Sequence, residues 1–148
     1  IGEAAWAATR SLLAGVSVLT VALIFGLLHS PLALLTIPVA FLTGMVFASL
    51  ALMLVAVAPS IGTLNNFFTI LITPMFFFSG IFFPLDRFPD ILRQLAWLLP
   101  LTHSAHLSRG LTLGQLDWSM LFSGLMLIAY VSILLPMAVK LMRRRLFK

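Results

Sequence analysis

Residues 11–85 contain no Asp, Glu, Lys or Arg. These four residue types are almost never fully buried in a soluble protein, so a soluble surface needs them in every exposed segment. An α-helix needs about 20 apolar residues to cross the hydrocarbon of a bilayer. The run is long enough for three crossings, and a second uncharged run at residues 118–139 supplies a fourth. An all-α polytopic membrane protein with four transmembrane helices is the fold class this pattern specifies.

With 148 residues, 61% of them hydrophobic and 9% charged, the chain has room for one membrane domain and no separate soluble one. Five of the nine cations, Lys140, Arg143, Arg144, Arg145 and Lys148, follow the last apolar run. A basic cluster there reads as an anchor at anionic headgroups, residues 140–148 forming a cytoplasmic basic tail. No basic face with interleaved aromatics exists elsewhere, which argues against nucleic acid as a partner. There are no cysteines, so disulfides, thiolate metal sites and a cysteine nucleophile are excluded. The chain begins at Ile1, and residues 2–6 lack a signal-peptide pattern. The expectation is a fragment that lacks an N-terminal part.

The crossings fall at about residues 11–28, 32–58, 63–83 and 118–139. His29-Ser30-Pro31 ends the first, because proline cannot donate the helical bond and disfavours helix in the residue before it. The second carries Gly44, Ala48 and Ser49, small residues that admit a neighbouring helix closely. Pro59-Ser60-Ile61-Gly62 is a turn signal. Pro74 lies within the third crossing and Pro136 near the end of the fourth, where Trp118 is an interfacial anchor. Placing the C-terminus in the cytoplasm returns residues 1–10 there too. That side then holds Glu3 against Arg10, Lys140, Arg143, Arg144, Arg145 and Lys148. Asp86, Asp90 and Asp117 balance Arg87, Arg93 and Arg109 on the other. The positive-inside rule selects this orientation.

Residues 84–117, external in this topology, are not a polar loop. Phe88, Ile91, Leu92, Leu95 and Leu99 recur at helical spacing opposite Asp90, Arg93 and Gln94. Pro100 interrupts, and an apolar pattern resumes with His103, His106 and Arg109. This reads as a helical hairpin that partly re-enters the outer leaflet. Irregular backbone at that depth survives only when packed on protein or lining a wet cavity.

Thr73-Pro74-Met75-Phe76-Phe77-Phe78-Ser79-Gly80-Ile81-Phe82-Phe83-Pro84-Leu85-Asp86, followed by Leu98-Leu99-Pro100-Leu101-Thr102-His103-Ser104 and Arg109, resembles the signature of ABC-2 type permeases. These are the membrane subunits of ATP-driven exporters. Residues 2–10 and the ending Arg143-Arg144-Arg145-Leu146 resemble more narrowly the permeases of nodulation lipo-oligosaccharide exporters (NodJ-type). The resemblance covers essentially the whole chain and places residue 1 just before the third of six family helices. It implies a bacterial inner membrane location and a permease that pairs with a second copy. The pair docks on two ATP-binding cassette subunits, which carry the ATP and magnesium, so this chain needs no cofactor of its own and is not an enzyme. The implied cargo is amphipathic: a lipo-oligosaccharide, a polysaccharide on a lipid carrier, or a drug. The family's ATPase contact maps onto residues 2–10 and its outer mouth onto residues 84–110.

Each candidate residue has a plainer reading beside its functional one. Glu3, Trp6 and Arg10 share a helix face and are the ATPase-coupling candidates; an interfacial helix with a snorkelling arginine explains the same spacing. Phe76, Phe77, Phe78, Phe82 and Phe83 offer an apolar path for an acyl chain, with Phe78, Phe82 and Phe83 the pathway candidates; lipid contact and interhelix packing are the alternative. His103 and His106 lack a third ligand at metal-site spacing, so hydrogen bonding at the membrane surface is the simpler role. Arg109, if drawn into the apolar layer, requires a carboxylate, helix carbonyls or an anionic lipid-like group, unless it snorkels. His103 and Arg109 are the polar pathway candidates. No Ser, His and Asp arrangement and no phosphate-binding glycine loop is present. A membrane-embedded lipid or glycan transferase is the competing class, and it predicts ionisable residues inside the crossings.

Overall fold

The computed structural model describes residues 2–28, 30–58 and 60–146. His29, Pro59 and Lys148, which entered the sequence reading, lie outside the described residues. Six α-helices and no strand occur among the described residues. They are α1 (Gly2–Ile24), α2 (Thr36–Val57), α3 (Ile61–Phe78), α4 (Asp90–Trp97), α5 (Pro100–Leu113) and α6 (Trp118–Leu146).

Four of these are long and apolar enough to cross a membrane: α1, α2 with the 3₁₀ turn Pro31–Leu35 that leads into it, α3, and α6. Only 6% to 11% of the residues in each span are buried within the protein. The remaining surface is Leu, Ile, Val and Phe, which requires hydrocarbon rather than water around it. The protein is therefore an all-α, multi-pass membrane protein.

Helix α1 differs from the sequence expectation. Residues 2–10 are not a separate segment before the first crossing; they are its first turns. No proline interrupts residues 2–24, and the hydroxyls of Thr9, Ser17 and Thr20 each bond the carbonyl four residues back. These bonds satisfy the polar groups within the helix, so nothing forces a boundary at Arg10.

The small residues of α2 are covered, not open. Ala4, Ala8, Ser11 and Gly15 of α1 form the stripe that meets them. A Cβ on Gly44 would stand 2.5 Å from the Ser11 Cβ and 3.1 Å from the Ala8 Cα. The Ser11 hydroxyl reaches across to the Ala40 carbonyl at 2.9 Å. In lipid, where no hydrophobic drive separates helix from solvent, such close backbone approach and interhelical hydrogen bonds hold the pair together.

The turn between these helices is built from Ser30 and Pro31. The Ser30 hydroxyl accepts the Leu32 N–H at 3.2 Å and Pro31 opens the 3₁₀ turn where its missing N–H costs nothing. Ser60 caps α3 in the same way by accepting the Thr63 N–H at 3.3 Å. Helix α3 then ends at Phe78, five residues short of the expected Phe83. Gly80 adopts φ +77°, a left-handed conformation that glycine takes without a Cβ penalty, and Ser79 closes the end by bonding the Phe76 carbonyl at 2.8 Å.

The core lies between α2, α5 and α6. Val39, Val46, Leu107, Leu111, Met120 and Leu127 form one buried cluster there. Helix α3 stands at the side, with Met75 its buried anchor. Helix α6 runs through Pro136 to Leu146, so the basic residues Lys140, Arg143 and Arg144 extend the last span as helix.

Candidate functional site

The hairpin α4–α5 is the part of the molecule whose geometry calls for a function. Its turn, Leu98-Leu99-Pro100, joins two short helices whose residues Trp97, His103 and His106 are in ring contact. The Tyr130 hydroxyl donates to the Leu98 carbonyl at that turn. Tyr130 lies twelve residues into α6 from Trp118. At 1.5 Å per residue the turn sits about 18 Å along α6, more than half of a hydrocarbon layer about 30 Å thick. The hairpin is packed along α6 to that height, the placement a re-entrant hairpin requires. Leu98 ends α4, so its carbonyl has no helical partner, and the Tyr130 hydroxyl supplies one.

Three hydroxyl contacts fix α5 to its neighbours. Thr43 of α2 and Ser104 of α5 meet at 2.8 Å, and Ser104 also bonds the Pro100 carbonyl at 3.1 Å. On the opposite side Ser123 of α6 stands between two imidazoles. Its hydroxyl lies 3.2 Å from His103 Nδ1 and 3.5 Å from His106 Nδ1, and it donates to the Ser119 carbonyl at 3.0 Å. A hydroxyl has one proton to give, and which of the two ring nitrogens donates to Ser123 is set by the tautomer of each imidazole. Trp97 of α4 covers them, its ring centroid 5.6 Å from His103 and 5.4 Å from His106.

His103 is fully buried, and so is Thr102 beside it. His103 Nε2 and Thr102 Oγ1 have no hydrogen-bond partner of ordinary geometry among the described residues. Burial pushes the His103 imidazole, which lies outside the four spans, below its ordinary value near 6.5. The nearby Trp97 backbone carbonyl opposes the shift by favouring the protonated ring, and the neighbouring His106 adds to it.

Arg109 stands farther along α5 toward Trp118, and its Nη2 donates to the Gly80 carbonyl at 3.0 Å. Of the partners the sequence required for this charge, a carbonyl at the end of α3 is the one present. A cation at a helix C-terminus is also favoured by the helix dipole. Arg93 pairs with Asp90 at 2.8 Å, the one ion pair among the described residues.

The phenylalanines divide. Phe78 packs on Phe88 at 5.8 Å, which ties α3 to the hairpin. Phe82 turns back over Phe76 and Phe77, with centroids 6.0 Å and 6.4 Å apart, and remains 63% exposed. Phe83 is exposed beside it. Phe82 and Phe83 thus share a surface, whereas His103 is enclosed and touches none of it. At the other end of the bundle Glu3, Trp6 and Arg10 are all exposed on α1, on a face away from the packed stripe of Ala4 and Ala8. No group of three or more His, Cys, Asp or Glu residues able to hold a metal occurs among the described residues.

Ser123, Trp97, Thr43 and Tyr130 were not singled out by sequence. Tyr130 is the one tyrosine of the chain and sits mid-span, where an aromatic hydroxyl needs a partner. That was a signal; its partner, 32 residues away in sequence, left none.

Comparisons with known proteins agree with this architecture. The ABC-2 type transporter family profile matches residues 1–113. The chain is 39% identical over 148 residues to Nodulation protein J of Rhizobium leguminosarum bv. viciae, covering all of this chain and 57% of that protein. It is 45% identical over 109 residues to Nodulation protein J of Sinorhizobium fredii, covering 74% of this chain and 42% of the other. To Nodulation protein J of Rhizobium meliloti it is 41% identical over 115 residues, covering 78% and 44%. The chain spans about half the length of the curated relatives it matches. No solved structure matches it.

Proposed function

The chain belongs to the ABC-2 type transporter family, and on that premise we propose that it is the membrane-spanning part of a permease subunit in an ATP-driven exporter. The cargo is an amphipathic glycolipid of the lipo-oligosaccharide kind, moved out of the cytoplasm across a bacterial inner membrane. The similarity to Nodulation protein J along the full chain is the observation that carries this reading.

The physical features support a conduit rather than a catalyst. The spans carry no charged residue before Lys140 once Arg10 is passed, where a membrane-embedded transferase needs ionisable groups. ATP is hydrolysed by a separate ATP-binding cassette subunit, which holds the magnesium. Glu3, Trp6 and Arg10 contact it from the start of α1, and a second copy of the permease completes the pathway. Four crossings would leave the start of α1 and the end of α6 at one face, and the basic residues of α6 support a cytoplasmic location for it. The hairpin then lies at the external mouth. Phe78, Phe82, Phe83 and Arg109 line the exit, with His103 behind them holding the hairpin in place.

The test uses the full-length protein, tagged and gently solubilised. An ATP-binding subunit co-purifying in about equal amount, with ATP turnover changed by added lipo-oligosaccharide, is the expected outcome. Absence of any ATPase, under conditions that preserve a control transporter complex, contradicts the exporter assignment.

A further inference from the structure

A cavity of about 310 Å³ opens between the hairpin and the connection from α3 to α4. It is lined by Arg93 and Trp97 of α4, His106 and Arg109 of α5, Gly80, and Asp86. Two guanidinium groups and an imidazole therefore line it together with one acid, whereas the neighbouring cavities among the described residues are walled mainly by apolar groups. Arg93 lies one turn from Trp97 on α4, and Arg109 one turn from His106 on α5, both toward the Trp118 end. Trp97 and His106 are in ring contact, and both arginines, one turn from that pair, line the same cavity.

Trp118, a side chain of the kind that anchors at lipid headgroups, is close to the level of Arg109. Arg109 adjoins Gly110, where an added Cβ would stand 2.7 Å from Met120 Cε, and Met120 is two residues from Trp118. The anions present at this height are lipid phosphates. Both arginines have donors to spare. Arg109 spends Nη2 on the Gly80 carbonyl and has no carboxylate partner among the described residues. Arg93 is paired with Asp90, whose side chain is 84% exposed, and exposed pairs of this kind are easily exchanged. His106 lines the cavity beside Trp97, with its Nδ1 turned to Ser123 at 3.5 Å.

We propose that this cavity is an anion site that holds the phosphate of an amphipathic lipid, clasped by Arg93 and Arg109 over the floor formed by Trp97 and His106. Planar guanidinium groups match phosphate oxygens with paired hydrogen bonds, and the indole covers the adjoining headgroup. Asp86 opposes the bound charge and limits affinity, so the lipid exchanges rather than staying as a fixed part of the fold. The inference does not depend on which cargo is exported.

The test is native mass spectrometry of the full-length protein, stripped of lipid and titrated with phosphatidylglycerol, with diacylglycerol of the same chains as the uncharged control. Arg109→Gln and Arg93→Gln should each weaken phosphatidylglycerol binding, Arg109→Gln by about tenfold or more, and leave diacylglycerol unchanged. Asp86→Asn should tighten phosphatidylglycerol binding. Arg93→Gln and Asp86→Asn leave the bond from Arg109 to Gly80 intact, so they remain informative should Arg109→Gln fail to fold. Equal phosphatidylglycerol affinity in wild type and Arg93→Gln, or weaker binding in Asp86→Asn, overturns the proposal. Displacement by glycerol phosphate supports a site for phosphate itself, and displacement by phosphate-bearing lipids alone supports the membrane headgroup.

Discussion

Tyr130 ties the deepest turn of the hairpin to α6 through one hydrogen bond. Tyr130→Phe keeps the ring and removes the bond, leaving the Leu98 carbonyl unpaired in an apolar layer. A loss of about 1–3 kcal/mol of stability is expected, read as a lower midpoint of thermal unfolding in detergent. His103 makes a second prediction, one with a sign. Burial lowers its folded pKa below the unfolded value near 6.5. The unfolded chain then binds the proton first as pH falls. Stability from this residue is complete above pH 6.5 and is lost as pH drops through the window below it. The unfolding midpoint of the wild type should fall more between pH 7 and 5 than that of His103→Gln, with the other histidines common to both. At this scale the sequence offered His103, His106 and Arg109 as the polar residues worth attention. It could not show that Ser123 links the two rings, or that Gly80 receives Arg109, because those contacts join positions 17 to 29 residues apart.

At the scale of elements, close approach of α1 to α2 depends on Gly44 and Ser11. Gly44→Leu forces the helices apart and breaks the bond from Ser11 to Ala40. About 1–3 kcal/mol of destabilisation is expected from overpacking, with faster protease cleavage of the turn around Ser30 as its sign. Helix identity was legible because the spans are long and uncharged and because Pro31, Pro59 and Pro100 punctuate them. The ends were harder. Arg10 reads as a boundary because a charge is unwelcome in hydrocarbon, yet a helix continues through it if the side chain turns outward. Phe82 and Phe83 read as more of α3 because they are apolar, yet Ser79 and Gly80 had already closed the helix. The depth of the hairpin was hidden for another reason: amphipathic spacing reports which face packs, not how far along a neighbour it packs.

On the scale of the whole molecule, four spans bury few of their residues completely and hold a helical hairpin against α2 and α6. Under the proposed function the hairpin borders the exit, and the exposed face of Glu3, Trp6 and Arg10 at the far end is where an ATP-binding subunit would dock. Arg10→Glu with Trp6→Ala should reduce recovery of the ATP-binding subunit several-fold while leaving the amount of permease unchanged and its stability within about 0.5 kcal/mol of wild type, since exposed residues contribute little to stability. The direct test of the account is transport itself. Inverted inner-membrane vesicles containing the full-length permease and its ATP-binding subunit would be given labelled lipo-oligosaccharide. The account predicts accumulation in the lumen that requires ATP and is absent from vesicles lacking the permease. Uptake that is the same with and without ATP, or with and without the permease, would contradict it.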